Sequence, residues 1–251
     1  MRLACIVIAA MGLLAAGLQS RQRSEAFVSA ASSLTNVLTA AAEVYEADTG
    51  DRVVLNFGAS NTLARQIAAG ARVDLFVSAD EAQMVRVAAQ IVSGTRVGLV
   101  GNALAIAVPD DRFGVVRSPG DLAGPQVKRI AVGDPGSVPA GVYARRYLQR
   151  IGLWASVQPK LVPLGSVRLA LAAVANGAVD AAIVYRTDIR NVSRVLEAYA
   201  VPREHAPAIV YPAAVLASGR NPLAACRFLE FLVGPVGAAI FERAGFSRVG
   251  G

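Results

Sequence analysis

Histidine occurs once in this sequence, at His205, and cysteine only twice, at Cys5 and Cys226. No cysteine pair has zinc spacing, and a His-rich metal site or a Ser–His–Asp triad would rest on His205 alone, in the loop-like stretch from Pro202 to Pro207. A G-x-S-x-G elbow and a phosphate loop ending in Gly-Lys-Ser/Thr are also missing. Lysine is confined to Lys128 and Lys160, so the net charge of +7 is carried almost entirely by arginine. Those arginines are spread out and not interleaved with aromatics, which argues against a nucleic-acid surface. The acidic pairs are no better as sites. Asp80-Glu81 opens a helical pattern, where acidic residues suit the dipole. Asp110-Asp111 follows Pro109 in a turn that offers too few oxygens for a hard cation.

The 251 residues are 54% hydrophobic but only 6% aromatic, enough for one large domain or two lobes with a core of Ala, Val and Leu. At the N-terminus, Arg2 precedes an uncharged apolar run from Leu3 to Leu18 and then a polar segment from Gln19 to Glu25. A positive start, an apolar stretch and small residues describe a secretory signal peptide, here expected within residues 1–24. The run is shorter than the ~20 residues of a spanning helix. Leu3-Ala4-Cys5 leaves no hydrophobic region ahead of the cysteine, so it does not read as a lipoprotein site. The expected mature chain is periplasmic and keeps only Cys226, a small core residue unable to form an intramolecular disulfide.

Strand-like runs alternate with amphipathic helices, the pattern of mostly parallel α/β sheets. Strands are expected at 26–30, 53–57, 74–78, 130–132, 161–163 and 181–185. Helices are expected at 34–49 (stopped by Gly50), 63–69, 80–89, 141–153 and 167–175, with a further pair in 222–244 broken at Gly234-Pro235. Two long extended runs, Val97 to Val108 and Ile209 to Leu216, are placed to carry the chain between lobes and back.

What recurs is a short Ser/Gly/Ala turn between strand and helix: Ser29–Ser33, Gly58–Asn61, Gly136–Gly141 and Gly165–Val167. Such a turn aims free N–H groups and hydroxyls at the helix N-terminus, where an anion is favoured. Each turn taken alone also reads as a helix cap or a plain β–α connection. Ser33 and Ser60 carry hydroxyls, whereas Ala140 and Val167 can act only through backbone N–H groups. Tyr185 ends an apolar strand and reads either as packing or as a hydroxyl facing a cleft. Arg65 and Arg168 follow two of the turns and read as solvated helix-face residues.

At these turns the chain resembles the periplasmic molybdate-binding proteins that feed ATP-driven importers, within the type II periplasmic binding proteins. The resemblance is carried by Ala31-Ser32-Ser33-Leu34-Thr35-Asn36, by the segment from Phe57 to Ile67, by the segment from Asp74 to Asp80, by Gly133-Asp134-Pro135 with Val138 to Ala144, and by Ile183-Val184-Tyr185. It implies a two-lobed α/β fold with the ligand cleft between lobes. Lobe I is then 25–102 with 217–251, and lobe II is 103–216. It also implies an oxyanion held by the Ser33 and Ser60 hydroxyls, the N–H groups of Ala140 and Val167, and the Tyr185 hydroxyl, with lobe closure completing the cage. Molybdenum would be held as molybdate through its oxygens, without direct ligation to the protein. Asn61 departs from the small residue that some members carry there. Binding without catalysis, no cofactor, molybdate or tungstate as ligand, a membrane permease as partner, no nucleic acid, no membrane insertion once the signal is removed, and a monomer complete these expectations. The alternatives are a same-fold binder of sulfate, phosphate or another small oxyanion, a secreted structural or adhesive domain, and an exported hydrolase using Ser33 or Ser60 with His205.

Overall fold

A computed structural model describes residues 23–190 and 192–249, which fall into two α/β units. The expected signal segment, with Cys5, lies outside the described residues except for positions 23 and 24.

Unit 1 contains the described residues up to Val100, then Val210–Arg243 and the residues from Arg248. It begins β1 (Glu25–Ala31), α1 (Thr35–Thr49), β2 (Arg52–Gly58), α2 (Ser60–Ala68), β3 (Leu75–Val77) and α3 (Glu81–Arg86). β1 buries Ala26 and then Val28, Ser29, Ala30 and Ala31 in succession, while α1 buries Val37, Leu38, Ala41, Ala42 and Tyr45 along one stripe. Gly50 ends α1 at φ 73°, a left-handed conformation that glycine adopts at little steric cost, and its N–H closes on Glu46 O at 2.9 Å. The core behind the sheet gathers Leu63, Ile67, Phe76, Met84 and Leu216.

Unit 2 contains Gly101–Ile209 and Ala244–Ser247. After β4 (Val97–Asn102), which crosses the boundary, come β5 (Leu104–Pro109), β6 (Ile130–Gly133), α4 (Pro139–Arg150), α5 (Trp154–Val157), β7 (Leu161–Leu164), α6 (Val167–Ala175), β8 (Ala181–Tyr185), α7 (Arg186–Ile189) and β9 (Val195–Ala200). The chain re-enters unit 1 as β10 (Ile209–Val215), followed by α8 (Pro222–Val233) and α9 (Pro235–Arg243). Of the two lysines, Lys160 is structural through its side chain, while Lys128 is exposed and bonds through its backbone. Lys160 Nζ donates to the carbonyls of Leu122, Ala123 and Gly124 at 3.1, 2.8 and 2.7 Å, and the Lys128 N–H donates to Asp180 at 2.8 Å.

The sheets are mixed around a parallel set of strands. Each has five strands, ordered β2-β1-β3-β10-β4 and β7-β6-β8-β5-β9. In each, three strands run parallel, and an antiparallel strand is then added: β10 on β3, and β5 on β8. Residues 210–216, expected in the second lobe, belong to unit 1 because β10 pairs with β3, Ala213 lying opposite Val77. Residues 244–247 join unit 2 through a bridge in which Gly101 N–H donates to Ser247 O at 2.7 Å and Ser247 N–H returns to Gly101 O at 3.0 Å. Cys226 is buried in α8. Among the described residues no single helix is long and apolar enough to cross a membrane; α8 and α9 reach that length only together, bent by 61°.

Candidate functional site

In unit 1 the three parallel strands end side by side, with Ala31 opposite Gly58 and Ala30 opposite Val77. The predicted donors stand at that edge. Ser33 occupies a 3-10 turn leading into α1, and Ser60 is the first residue of α2. Both are buried, yet neither caps its helix: the N-cap positions are held by Leu34 and Ala59, without side-chain bonds. The capping alternative is thereby removed for both. Ser33 Oγ lies 3.0 Å from the buried Tyr211 hydroxyl, and Ser60 Oγ accepts from the Ala79 N–H at 2.9 Å. An oxygen that accepts an N–H keeps its own proton for another acceptor, so Ser60 is poised to donate.

Neighbouring groups hold this edge rigid. The Ser78 hydroxyl donates to Asp80 O at 2.8 Å, and the Ser78 N–H donates to Pro212 O at 2.9 Å. Asp80 caps α3 by accepting from the Gln83 N–H at 2.9 Å. Asn61 is buried in the first turn of α2, and its Oδ1 finds no hydrogen-bond partner among the described residues. Arg65 lies on an exposed helix face and donates to Thr62 Oγ1. Tyr211 is the contributor that sequence reasoning missed. It lies 178 positions from Ser33, and no local motif marks it.

Unit 2 repeats the arrangement. Gly133 ends β6 opposite Leu164 of β7, and Val132 lies opposite Ile183 of β8. Asp134 shapes the following turn, its Oδ1 accepting from Gly136 N–H at 2.8 Å and Ser137 Oγ at 3.1 Å. Ala140 then stands in the first turn of α4, whose N–H groups have no intrahelical acceptor. Val167 opens α6, while Ser166 caps it by accepting from the Leu169 N–H at 3.2 Å. Tyr185, fully buried, ends β8 and is the N-cap of α7. The structure thus gathers Ser33 with Ser60 at one sheet edge, and Ala140, Val167 and Tyr185 at the corresponding edge of the other sheet.

Arg168 corrects an expectation. It is not a solvated helix-face residue, because its Nε lies 3.6 Å from Asp188 Oδ1 and the Asp188 side chain is 0% exposed. Neither Asp188 oxygen completes a hydrogen bond of good geometry. Burial pushes the Asp188 carboxyl up from 3.8 to about 7, with Arg168 and the Tyr185 backbone N–H pulling the other way. The folded protein therefore holds a proton, between pH 3.8 and about 7, that the unfolded chain has released. Asp188 then favours folding most at the acid end of that window, and its contribution falls as pH rises through it. Asp188→Asn, which has no charge to bury, is expected to raise the melting temperature of the ligand-free protein relative to wild type at about pH 8, with a gap that closes toward about pH 4. A gap of constant size across that range would show that burial does not perturb this carboxyl.

His205 is exposed in the loop after β9, and Asp110-Asp111 form an exposed 3-10 turn. Among the described residues no three His, Cys, Asp or Glu side chains gather as a metal site.

Over residues 26–247 the chain matches the family described as bacterial extracellular solute-binding protein. It is 37% identical, over 95% of both chains, to the molybdate-binding protein ModA of Escherichia coli. It is 32% identical to the molybdate-binding protein ModA of Haemophilus influenzae, over 88% of this chain and 89% of that one. In structure it resembles the Azotobacter vinelandii periplasmic molybdate-binding protein, with a TM-score of 0.81, 26% identity, and coverage of 88% of this chain and 98% of the other.

Proposed function

The chain belongs to the bacterial extracellular solute-binding protein family, and from that premise we propose that it captures molybdate in the periplasm and delivers it to the membrane permease of an ABC importer. Whole-chain similarity to molybdate-binding proteins carries this reading. We assign the oxyanion to the Ser33 and Ser60 hydroxyls of unit 1 and to the Ala140 and Val167 N–H groups and Tyr185 hydroxyl of unit 2.

The chemistry of these groups supports the assignment. An unpaired dianion out of water costs many kcal/mol, so several donors must serve it. Each hydrogen bond to a charged group contributes about 1.5–3 kcal/mol, and helix N-termini add a field of the right sign. The donors are neutral and fixed by packing, so they favour a tetrahedral anion of one size. Tungstate, close to molybdate in size, is accepted on this reading, while the smaller sulfate leaves donors too distant. On this reading the protein acts as a monomer and releases its ligand unchanged.

A thermal-shift series of the mature protein with molybdate, tungstate, sulfate, phosphate and chromate tests this. At ~100 times the dissociation constant a ligand stabilises by about 2.7 kcal/mol, so molybdate and tungstate should raise the melting temperature by several degrees. No shift with either would overturn the function. An equal shift with sulfate at equal concentration would replace the ligand with a smaller oxyanion.

A further inference from the structure

Two of the donors assigned to unit 2, the Val167 N–H and the Tyr185 hydroxyl, stand on different turns, after β7 and at the end of β8. One ion pair joins these turns. Arg168 directly follows Val167, and its Nε lies 3.6 Å from Asp188 Oδ1. Asp188 in turn lies three residues beyond Tyr185, in the first turn of α7, and faces the Tyr185 backbone N–H. The Asp188 side chain is 0% exposed and that of Arg168 is 28% exposed.

An acidic residue in the first turn of α7 suits that helix, but the full burial of Asp188 against Arg168 goes beyond this. An arginine in the first turn of α6 opposes that helix's dipole. A buried carboxylate with incomplete hydrogen bonding is unfavourable, and an apolar pair of the same volume is often at least as stable. What the pair does supply is a fixed relation between two turns. An anion site needs that, because donors must be in place before the ligand arrives and small displacements weaken each bond.

Resting on the oxyanion reading above, we propose that the Arg168–Asp188 pair is a positioning device: it locks the Val167 turn against the Tyr185 turn so that both donors are preset for the anion. Neither side chain touches the ligand. Arg168 acts through the backbone of Val167, and Asp188 acts through the backbone of Tyr185.

Calorimetric titration of the mature protein with sodium molybdate tests this, using wild type, Asp188→Asn, Arg168→Met, Arg168→Lys and the Asp188→Asn/Arg168→Met double variant. Melting temperatures of the ligand-free proteins are recorded in parallel. Asp188→Asn and Arg168→Met should each weaken binding about fivefold to tenfold, the scale of one displaced charge-assisted hydrogen bond. Arg168→Lys should recover most of that loss. The double variant should be no worse than about the weaker single one, because the two residues act as one unit.

If the variants shift the melting temperature but leave the affinity of the folded protein unchanged, the pair is purely structural and the proposal is overturned. A loss with Arg168→Met alone also overturns it, since Arg168 would then contact the anion directly. Arg168 is partly exposed, so its variants give a second, independent reading of the same pair. Silence of the wild type toward molybdate is a different failure: it removes the oxyanion reading and, with it, this inference.

Discussion

Gly141→Ala is expected to destabilise the protein by about 3 kcal/mol or more, a fall in melting temperature of about 6 °C or more. A Cβ at this position would lie 1.8 Å from Gly133 O and 2.6 Å from Asp134 O. Both are backbone atoms at the end of β6, so no rotamer change relieves the overlap. The N-terminal turn of α4 must instead lift off the strand. That turn carries the Ala140 N–H, so molybdate binding should be lost together with stability. Gly165→Ala is the matched control in the neighbouring turn. Its Cβ would meet only Leu169 Cδ1 at 3.8 Å, an ordinary contact. Thermal melts with and without molybdate distinguish the two, and a Gly141→Ala protein as stable as Gly165→Ala would mean that α4 does not approach β6 this closely.

Ser33→Ala is expected to weaken molybdate binding about tenfold or more while leaving the fold nearly intact, through loss of one hydrogen bond to a charged ligand. The contrast with Ser60 follows from their partners. Removing the Ser60 hydroxyl also leaves the buried Ala79 N–H without its acceptor, so Ser60→Ala should lose about 1–3 kcal/mol of stability in addition to affinity. The Ser33 hydroxyl instead bonds to a phenol, that of Tyr211. Tyr211→Phe should therefore weaken binding only a few-fold, by removing a group that orients and polarises the Ser33 hydroxyl. Calorimetry on the three variants ranks them, and unchanged affinity in Ser33→Ala would remove Ser33 from the site.

Strands and helices were legible where period and punctuation agreed. Gly50 stops α1 where expected, and Val97 to Val108 divides into β4 and β5 beside Gly101-Asn102. The strand that escaped notice is β9. It lies at the sheet edge, pairs only with β5 across an irregular register, and alternates too weakly in burial to leave a two-residue signature. The donor turns were visible for the same local reason as the helices, since each is a contiguous strand–turn–helix. Their supporting partners were not. Tyr211 reaches Ser33 and Asp188 reaches Arg168 only after folding, and nothing in the residues flanking either contact announces it. Exposure of Arg168 was misjudged because helical spacing gives the face of a residue but not what another turn brings against it.

The order of strands in the first sheet carries a consequence for how the chain acquires its structure. β10 lies between β3 and β4, so β4 has no neighbour in that sheet until β10 arrives. More than a hundred residues separate the end of β4 from the start of β10. A chain emerging from the ribosome can pair β1, β2 and β3, but it must wait for most of its remaining length before the sheet gains its fourth and fifth strands. Such distant pairing makes assembly slow. The nascent N-terminal half thus keeps an incomplete sheet for as long as the rest of the chain is being made.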